Sequence, residues 1–240
     1  LVDDESKNKV YPREFLLDAI NRPQLLYQSA ILTTRNSTVD ELNDKILKAM
    51  PGNSIHLPSA DTVDSDNVDG EEIFQITPEY LQTLNPGNFP PSRLSLKVGC
   101  IVMLLRNIDP KAGLCNGTRL IVKEIGSYVL KVAVMKAVDD GNEQIELIPR
   151  ITLNTMEDEY PFILSRTQFP VKLSFAMTIN KSQGQSLGNV GIDLRYPAFT
   201  HGQLYVALSR STKVDNIYVL HSEECLTNTV ENVVYPELLQ

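Results

Sequence analysis

The organisation of this 240-residue chain is set by residues 175–210, which read FAMTINKSQGQSLGNVGIDLRYPAFTHGQLYVALSR. Just before the polar cluster at residues 178–185 lies an apolar, strand-like segment, residues 171–177. At the end of a buried strand, backbone N–H groups and short polar side chains can point into one crevice and bind a phosphate group. Lys181 supplies charge there, and Gly184 permits close approach. A polar turn between two core elements is the alternative interpretation of this cluster taken alone.

A second candidate position follows this cluster. Residues 189–194 (NVGIDL) predict a short buried strand, and Pro197 ends it. Thr200 and Gln203 match a Thr-x-x-Gln capping box, which predicts a helix that starts there. Arg210 then lies at the C-terminal end of that helix. A cation at this place is also favoured by the helix dipole alone, so a structural role is the alternative.

Together the two segments resemble motifs V and VI of superfamily-one helicases, and more narrowly those of PIF-type DNA helicases, including the helicases of Helitron transposons. TINKSQGQSL (178–187) stands at the family's Thr-Ile-His-Lys-Ser-Gln-Gly motif, and QLYVALSR (203–210) stands at its Val-Ala-Leu-Ser-Arg motif. Asn180 occupies a position that is often His, so an amide replaces an imidazole. TTRN (33–36) resembles motif IV, although Arg35 taken alone is typical of a solvated turn.

The resemblance implies a set of site residues. Arg210 would be an arginine finger, acting on ATP and Mg²⁺ that are bound mainly by another domain, and no residue of this chain is expected to bind metal. The implied nucleotide contacts are Arg35, Lys181, Gly184, Gln185, Ser186 and Gln203. The implied DNA contacts are Thr178, Asn180, Lys181, Ser182 and Gln183.

The N-terminal part of the chain predicts an α/β arrangement. Residues 29–34 (SAILTT) predict a buried strand, and Thr38 with Glu41 predicts a capping box for the following helix. The sparse apolar pattern before this strand predicts one short helix that ends near Pro23. Strand, polar turn and helix in this order are typical of an α/β sheet.

The middle of the chain predicts other elements. A solvated loop is expected at residues 51–70 and a short helix at residues 77–84. From Leu94 the pattern becomes strand-like, and closely spaced strands predict a compact antiparallel barrel or sheet. The predicted strands are residues 101–106, 118–125, 128–135 and 144–151.

This β-rich region is itself similar to the PIF-type family, in which a small barrel of the Src-homology-3 type is inserted into the second RecA-like domain. The resemblance therefore implies three segments. Residues 1–94 would begin the second RecA-like domain, residues 95–168 would form the inserted barrel, and residues 169–240 would complete the RecA-like domain.

The composition is that of a globular protein, with 42% hydrophobic and 22% charged residues, and no apolar run approaches the roughly 20 residues that span a bilayer. The net charge of −8 argues at first against a nucleic-acid-binding protein. However, residues 171–222 carry five basic and two acidic residues and are the most positive part of the chain. Such a local strip is enough to follow phosphates.

The three cysteines, Cys100, Cys115 and Cys225, are widely spaced and odd in number. This pattern predicts a reducing compartment without a disulfide framework, and the histidines show no spacing typical of zinc ligands. The family resemblance implies the nucleus or the mitochondrion.

The sequence therefore predicts an α/β, RecA-like domain of the P-loop NTPase type that lacks its own P-loop and carries an inserted small antiparallel β-barrel. The resemblance implies the C-terminal motor half of an ATP-dependent 5′–3′ DNA helicase, with single-stranded DNA and the N-terminal RecA-like domain of the same parent protein as partners. No G-x-x-x-x-G-K-[ST] loop occurs, so the chain alone is expected to be inactive.

The start of the chain at Leu1, without an initiating Met or a signal-peptide pattern, favours a piece of a longer protein. Two alternatives remain open at this point. One is a degenerate, transposon-derived module that binds single-stranded DNA. The other is an interaction domain whose barrel binds a protein, because fold does not fix function.

Overall fold

The computed structural model describes residues 9–18, 21–64, 76–135, 143–156, 159–221, 229–235 and 237. The chain divides into two compact units. Unit 1 comprises Leu1–Pro51 and Leu173–Gln240, and unit 2 comprises Gly52–Lys172. Within the described ranges, every helix is too short or too polar to cross a lipid bilayer.

The α-helices are α1 (Arg13–Leu17), α2 (Pro23–Tyr27), α3 (Asn36–Ala49), α4 (Pro78–Thr83) and α5 (Gln203–Leu208). The strands are β1 (Ser29–Thr33), β2 (Ile55–Pro58), β3 (Ala60–Asp64), β4 (Arg93–Leu96), β5 (Ile101–Leu104), β6 (Arg119–Ile125), β7 (Val129–Val134), β8 (Gln144–Pro149), β9 (Ile151–Asn154), β10 (Ile163–Gln168), β11 (Val171–Leu173), β12 (Ala176–Thr178), β13 (Asn189–Leu194) and β14 (Ile217–His221). Short 3₁₀ turns lie at Pro110–Ala112, Ile179–Ser182 and Val214–Asn216.

Unit 1 is built on a parallel four-stranded sheet with the order β12-β1-β13-β14. All five residues of β1 are buried, as expected for the inner strand of a parallel sheet that is covered on both faces. Helix α3 packs against β1 and β12 through Val39, Leu42 and Ile46, whose spacing places them on one helical face. The predicted strands at residues 29–34 and 189–194 are therefore present.

Both predicted capping boxes are wrong. Helix α3 begins at Asn36, and its N-cap residue Arg35 makes no side-chain capping hydrogen bond. Thr38 is buried within the helix instead, because it lies on the same face as the apolar residues. Helix α5 begins at Gln203 rather than Thr200, after an N-cap glycine in the left-handed region. The pattern found two helix starts but placed one cap three residues and the other two residues away from its true position.

The region before β1 also differs from the prediction. Two short helices, α1 and α2, replace the single helix, and α2 begins at Pro23 rather than ending near it. Proline is well suited to the first turn of a helix because its missing N–H has no partner to lose there. Ile20, which belongs to the predicted apolar pattern, lies outside the described residues.

Unit 2 is predominantly β-structure. Its largest sheet has five strands in the order β11-β5-β6-β7-β8, and the pairs β5–β6, β6–β7 and β7–β8 are antiparallel. A three-stranded antiparallel sheet has the order β3-β10-β9, and β2 pairs with β4. The alternating burial of β10 is typical of a strand with one face on the core. Pro149 is followed by a new strand, so the run predicted at residues 144–151 is two strands, β8 and β9.

Residues 51–70, predicted as a loop, contain β2 and β3, and the compact unit begins at Gly52 rather than at residue 95. The reason is that β3 pairs with β10 about a hundred residues later, and such long-range pairing leaves little local signal in the sequence. Most of the acidic run at residues 61–72, and Cys225, lie outside the described residues. Helix α4 begins after Thr77, whose hydroxyl accepts a hydrogen bond from the N–H of Tyr80, as the sequence predicts.

Candidate functional site

The candidate site lies at one edge of the unit 1 sheet. Strands β12, β1 and β13 are parallel, so their C-terminal ends meet at the same edge, where ligands bind in many α/β proteins. Thr33 pairs with Thr178 on one side and with Asp193 on the other. We call the segments that follow these three strand ends, residues 34–35, 179–186 and 195–196, the carboxyl edge.

The segment after β12 is a tight polar turn. Residues Ile179–Ser182 form a 3₁₀ turn, and the N–H of Gln185 donates to the carbonyl oxygen of Ser182 at 2.9 Å. Gly184 has a φ of +82°, a left-handed conformation that residues with a Cβ adopt only at a cost. This glycine is therefore required by the turn itself, in addition to the close approach that the sequence predicts.

The predicted site residues fall into two groups by exposure. Ser182 and Gln203 have buried side chains: the Ser182 hydroxyl donates to the carbonyl of Ile179 at 2.6 Å, and the Gln203 Oε1 accepts from the N–H of Phe199 at 3.0 Å. These two side chains thus stabilise the loops and are not available for direct contact with DNA or nucleotide. The side chains that reach the surface, fully or in part, are those of Arg35, Thr178, Asn180, Lys181, Gln183, Gln185, Ser186 and Arg210.

Arg210 joins the end of α5 to the polar turn after β12. Its Nη1 donates to the carbonyl oxygens of Ser182 at 3.3 Å and Gln185 at 3.1 Å, and its Nε donates to that of Val206 at 2.9 Å. The N–H of Leu187 donates to the Arg210 carbonyl at 2.9 Å, so the main chain connects the same two segments. The structure therefore brings the predicted motif V and motif VI residues together through one guanidinium group.

Arg35 is held in a different way. Its guanidinium carbon lies 3.8 Å from the centre of the Tyr196 ring, within range for a cation–π interaction. The Thr34 hydroxyl donates to the Tyr196 carbonyl at 3.1 Å, which fastens the end of β1 to the segment after β13. Tyr196 was not among the predicted site residues, and an exposed tyrosine beside a proline gives no specific signal in the sequence.

The carboxylate of Asp193, near the C-terminal end of β13, is paired with a guanidinium group. Asp193 accepts hydrogen bonds from the Arg195 side chain, at 2.6 Å from Nη2 and 3.0 Å from Nε, and from the Arg195 N–H at 3.1 Å. Burial raises the pKa of Asp193, partly offset by the hydrogen bond from the Arg195 main chain. Burial also lowers the pKa of Arg195. The Asp193–Arg195 pair is thus committed to fixing the loop after β13.

Asn43, on the buried face of α3, positions the start of β12. Its Oδ1 accepts from the N–H groups of Phe175 at 2.9 Å and Ala176 at 2.8 Å. Its Nδ2 donates to the carbonyl oxygens of Leu173 at 3.2 Å and Ala176 at 3.0 Å. All of its polar capacity is therefore used on the strand that leads into the polar turn. The only sequence signal was a polar residue within an apolar helical face.

The arginines of the described structure differ in whether their charge is balanced. Arg166 and Arg195 each form an ion pair with a buried aspartate. Arg35 and Arg210 have oriented guanidinium groups but form no ion pair with any described residue; carbonyl oxygens and a ring hold them instead. Carbonyl dipoles orient a cation without cancelling its charge. Arg35 of the carboxyl edge and Arg210, which contacts this edge, therefore present two positive charges that no described carboxylate compensates, and such an arrangement suits a phosphate group.

Comparison with known proteins identifies relatives of both units. A family described as "DNA helicase Pif1, 2B domain" matches residues 79–125. The "ATP-dependent DNA helicase PIF1" of Mus musculus is 35% identical over 205 residues, covering 85% of this chain and 28% of the relative. The protein of the same name in Rattus norvegicus is 36% identical over 190 residues, covering 79% of this chain and 27% of the relative. The chain thus spans less than a third of the length of either relative.

A solved structure shares the fold. The "Crystal structure of Pif1 helicase from Bacteroides in complex with ADP-AlF3 and ssDNA" aligns with a TM-score of 0.60 and 22% identity, covering 99% of this chain and 51% of that one. This agreement confirms the predicted RecA-like α/β class. Sequence and fold together place the chain with the C-terminal part of PIF1-type superfamily-one helicases.

Proposed function

We propose that this chain is the C-terminal motor part of an ATP-dependent DNA helicase that translocates 5′ to 3′ on single-stranded DNA. Unit 1 acts as the second RecA-like domain, and unit 2 carries the inserted small barrel. The observation that carries the proposal is Arg210, an arginine that has no carboxylate partner among the described residues and that donates hydrogen bonds to the polar turn after β12. One side chain thereby connects the segment proposed for hydrolysis with the segment proposed for DNA binding.

Single-stranded DNA is proposed to lie along the polar turn. Thr178, Asn180 and Gln183 offer hydroxyl and amide groups for hydrogen bonds with the sugar-phosphate backbone, and Lys181 adds positive charge. Gly184 has open space where its Cβ would stand, so a backbone phosphate can approach closely. Ser182 contributes indirectly, because its buried hydroxyl holds the turn in shape.

The carboxyl edge is proposed to supply only some of the contacts that bind ATP. The charges of Arg35 and Arg210 suit the phosphate groups, and the exposed side chain of Ser186 and partly exposed side chain of Gln185 are further candidates for contact. Magnesium is not expected to bind here, because Asp193 is engaged by Arg195. The phosphate bond that is hydrolysed belongs to the nucleotide. We propose that a separate N-terminal RecA-like domain of the same parent protein provides the other groups that bind this nucleotide.

The first test is the salt dependence of DNA binding. The chain should bind a fluorescent dT15 oligonucleotide with an affinity that falls as salt rises, because Lys and Arg release counterions from the phosphates. Lys181→Gln should weaken binding and lower the slope of log affinity against log salt by about 1. The measurement is fluorescence anisotropy at several salt concentrations.

Lys48→Gln is the matched control for this test, since it makes the same charge change near the C-terminal end of α3. A 14-residue helix places this position roughly 20 Å from the carboxyl edge, where α3 begins. Its slope should equal that of the unaltered chain. Equal slopes for all three proteins, or binding that does not depend on salt, would contradict the proposed DNA site.

A second test concerns the Arg35–Tyr196 contact. Tyr196→Leu removes the ring that orients Arg35, and a cation–π contact at an exposed site contributes about 0.5–1 kcal/mol. In the full-length enzyme we expect the KM for ATP to rise about 2- to 5-fold with little change in kcat. Tyr196→Phe, which keeps the ring, should behave like the unaltered enzyme. A fall in kcat shared by both variants would instead indicate a disturbed loop.

A further inference from the structure

Unit 2 contains an open cavity of about 700 Å³ that the proposed function does not use. It is formed where the end of β2, the turn before β7 and the corner between β8 and β9 meet. Arg150 is the only residue with a formal charge among the ten that line it, apart from the titratable His56, and no carboxylate is among them. Most of the remaining lining is apolar. The cavity thus combines a mostly apolar surface with one positively charged side chain, that of Arg150.

Arg150 is held rigidly at this corner. Its Nε donates to the Ser127 carbonyl and its Nη1 to the Pro58 carbonyl, both at 2.8 Å, and its guanidinium carbon lies 4.8 Å from the centre of the Phe169 ring. It forms no ion pair with any described residue. An arginine stays charged at any physiological pH, so its charge is oriented but uncompensated, like those of Arg35 and Arg210.

Two other lining residues are suited to a ligand. Tyr128 lines the cavity and is 80% exposed to solvent, although large aromatic rings are usually buried. Its carbonyl accepts from the Arg150 N–H at 3.3 Å, which places the ring and the cation on adjacent segments. The Ser59 hydroxyl oxygen is buried and has no hydrogen-bond partner in the part of the chain that the structure describes. Because this oxygen is shielded from solvent, a ligand in the cavity reaches it only after the Ser59 side chain rotates.

We infer that this cavity binds one nucleotide unit of single-stranded DNA, with the base on the Tyr128 ring and the adjoining phosphate on Arg150 and Ser59. Every base has a flat face that stacks on an aromatic ring, and a phosphate is the charge complement of an unpaired guanidinium. A proline-rich peptide would also fit an apolar wall with an exposed tyrosine, but it would leave the charge of Arg150 without a counterion. The inference rests on the proposed function in taking DNA as the ligand, and it adds a contact on unit 2.

Crosslinking and binding by the whole chain test this site. A dT15 oligonucleotide carrying 5-iododeoxyuridine should crosslink to Tyr128 under ultraviolet light, as mapped by mass spectrometry. Tyr128→Ala should weaken binding of fluorescent dT15 about 5- to 150-fold, the range expected for one lost base–aromatic stack. Ser59→Ala should weaken it by a smaller factor, because one hydrogen bond is lost. Tyr128→Phe keeps the ring and should bind normally.

Tyr80→Ala serves as the matched control, since Tyr80 is a half-exposed tyrosine of unit 2 that does not line the cavity. It should bind dT15 like the unaltered chain. The inference is overturned if Tyr128→Ala binds within 2-fold of the unaltered chain, or if crosslinks map only outside the cavity. It is also overturned if a proline-rich peptide, but not dT15, loses binding in Tyr128→Ala. In each case a reduced salt slope for Lys181→Gln would leave the proposed function standing.

Discussion

Arg210→Ala should reduce DNA-stimulated ATP hydrolysis by the full-length enzyme about 10³- to 10⁵-fold while leaving ATP binding within a few-fold. The reason is that an arginine finger offsets negative charge that develops only in the transition state. The measurement is steady-state and single-turnover hydrolysis in the presence of single-stranded DNA, together with the affinity for a labelled ATP analogue. Unwinding should be lost in parallel.

Arg210 also makes contacts that suit a purely structural role, which is the alternative to the catalytic role. Its bonds to the carbonyls of Ser182, Gln185 and Val206 close the gap between α5 and the polar turn. Their loss should cost about 1–2 kcal/mol, because the freed carbonyls are only partly covered and water can replace the guanidinium. A loss of this size lowers the melting temperature by several degrees, since each kcal/mol is about 2–4 °C in a domain of this length. It does not lower the turnover of the molecules that remain folded.

Two further variants separate the roles. Ser209→Ala removes one hydrogen-bond partner of the guanidinium, the Ser209 hydroxyl at 2.8 Å from Nη2, and leaves the charge in place. It should hydrolyse ATP at a near-normal rate. Arg210→Lys retains the charge but loses the planar fork, so it should recover little activity. If Arg210→Ala melts several degrees lower yet turns over normally below that temperature, Arg210 is a structural link and the catalytic proposal fails.

The sheet of unit 1 was predictable because its buried parallel strands read as short apolar runs, as in SAILTT and NVGIDL. The helix starts were less predictable. A Thr-x-x-Glu pattern is the same whether the threonine caps the helix or faces the core, and at Thr38 the tertiary packing decides. Strands β2 and β3 were missed for a related reason, since their partners lie far along the chain.

The candidate site was predicted from its sequence motifs, but the contacts among its residues were not predicted. Lys181 and Arg210 are recognisable from the family pattern, but that pattern does not distinguish an exposed contact from a buried support such as Ser182. Asn43 and Tyr196 act on the site through hydrogen bonds and a ring contact across the fold. Such contacts depend on the three-dimensional arrangement of segments more than a hundred residues apart, and local sequence patterns do not encode them.

Arg166→Met should lower the free energy of unfolding of unit 2 by about 3–5 kcal/mol, the usual cost of removing one partner of a buried ion pair. Arg166 is fully buried, and its guanidinium binds both carboxylate oxygens of Asp61, with a shortest distance of 2.8 Å. It also donates to the carbonyls of Pro90, Leu81 and Leu84, of which the last two lie at the C-terminal end of α4. One side chain therefore connects β10, β3 and α4. The measurement is urea unfolding followed by circular dichroism and tyrosine fluorescence.

The expected loss in the free energy of unfolding comes mainly from buried groups that are left without partners. Two further variants test this cause. Asp61 has a side chain that is 4% exposed, so Arg166→Met leaves its charge uncompensated in the interior. The double variant Arg166→Met with Asp61→Leu removes that charge and should be more stable than Arg166→Met alone, because an apolar pair of similar volume often replaces a buried ion pair at little cost. Arg93→Met, at an exposed arginine on β4, should change stability by no more than about 0.5 kcal/mol. If the double variant is no more stable than Arg166→Met, the loss arises from the freed carbonyls at the end of α4 rather than from the unpaired charge of Asp61.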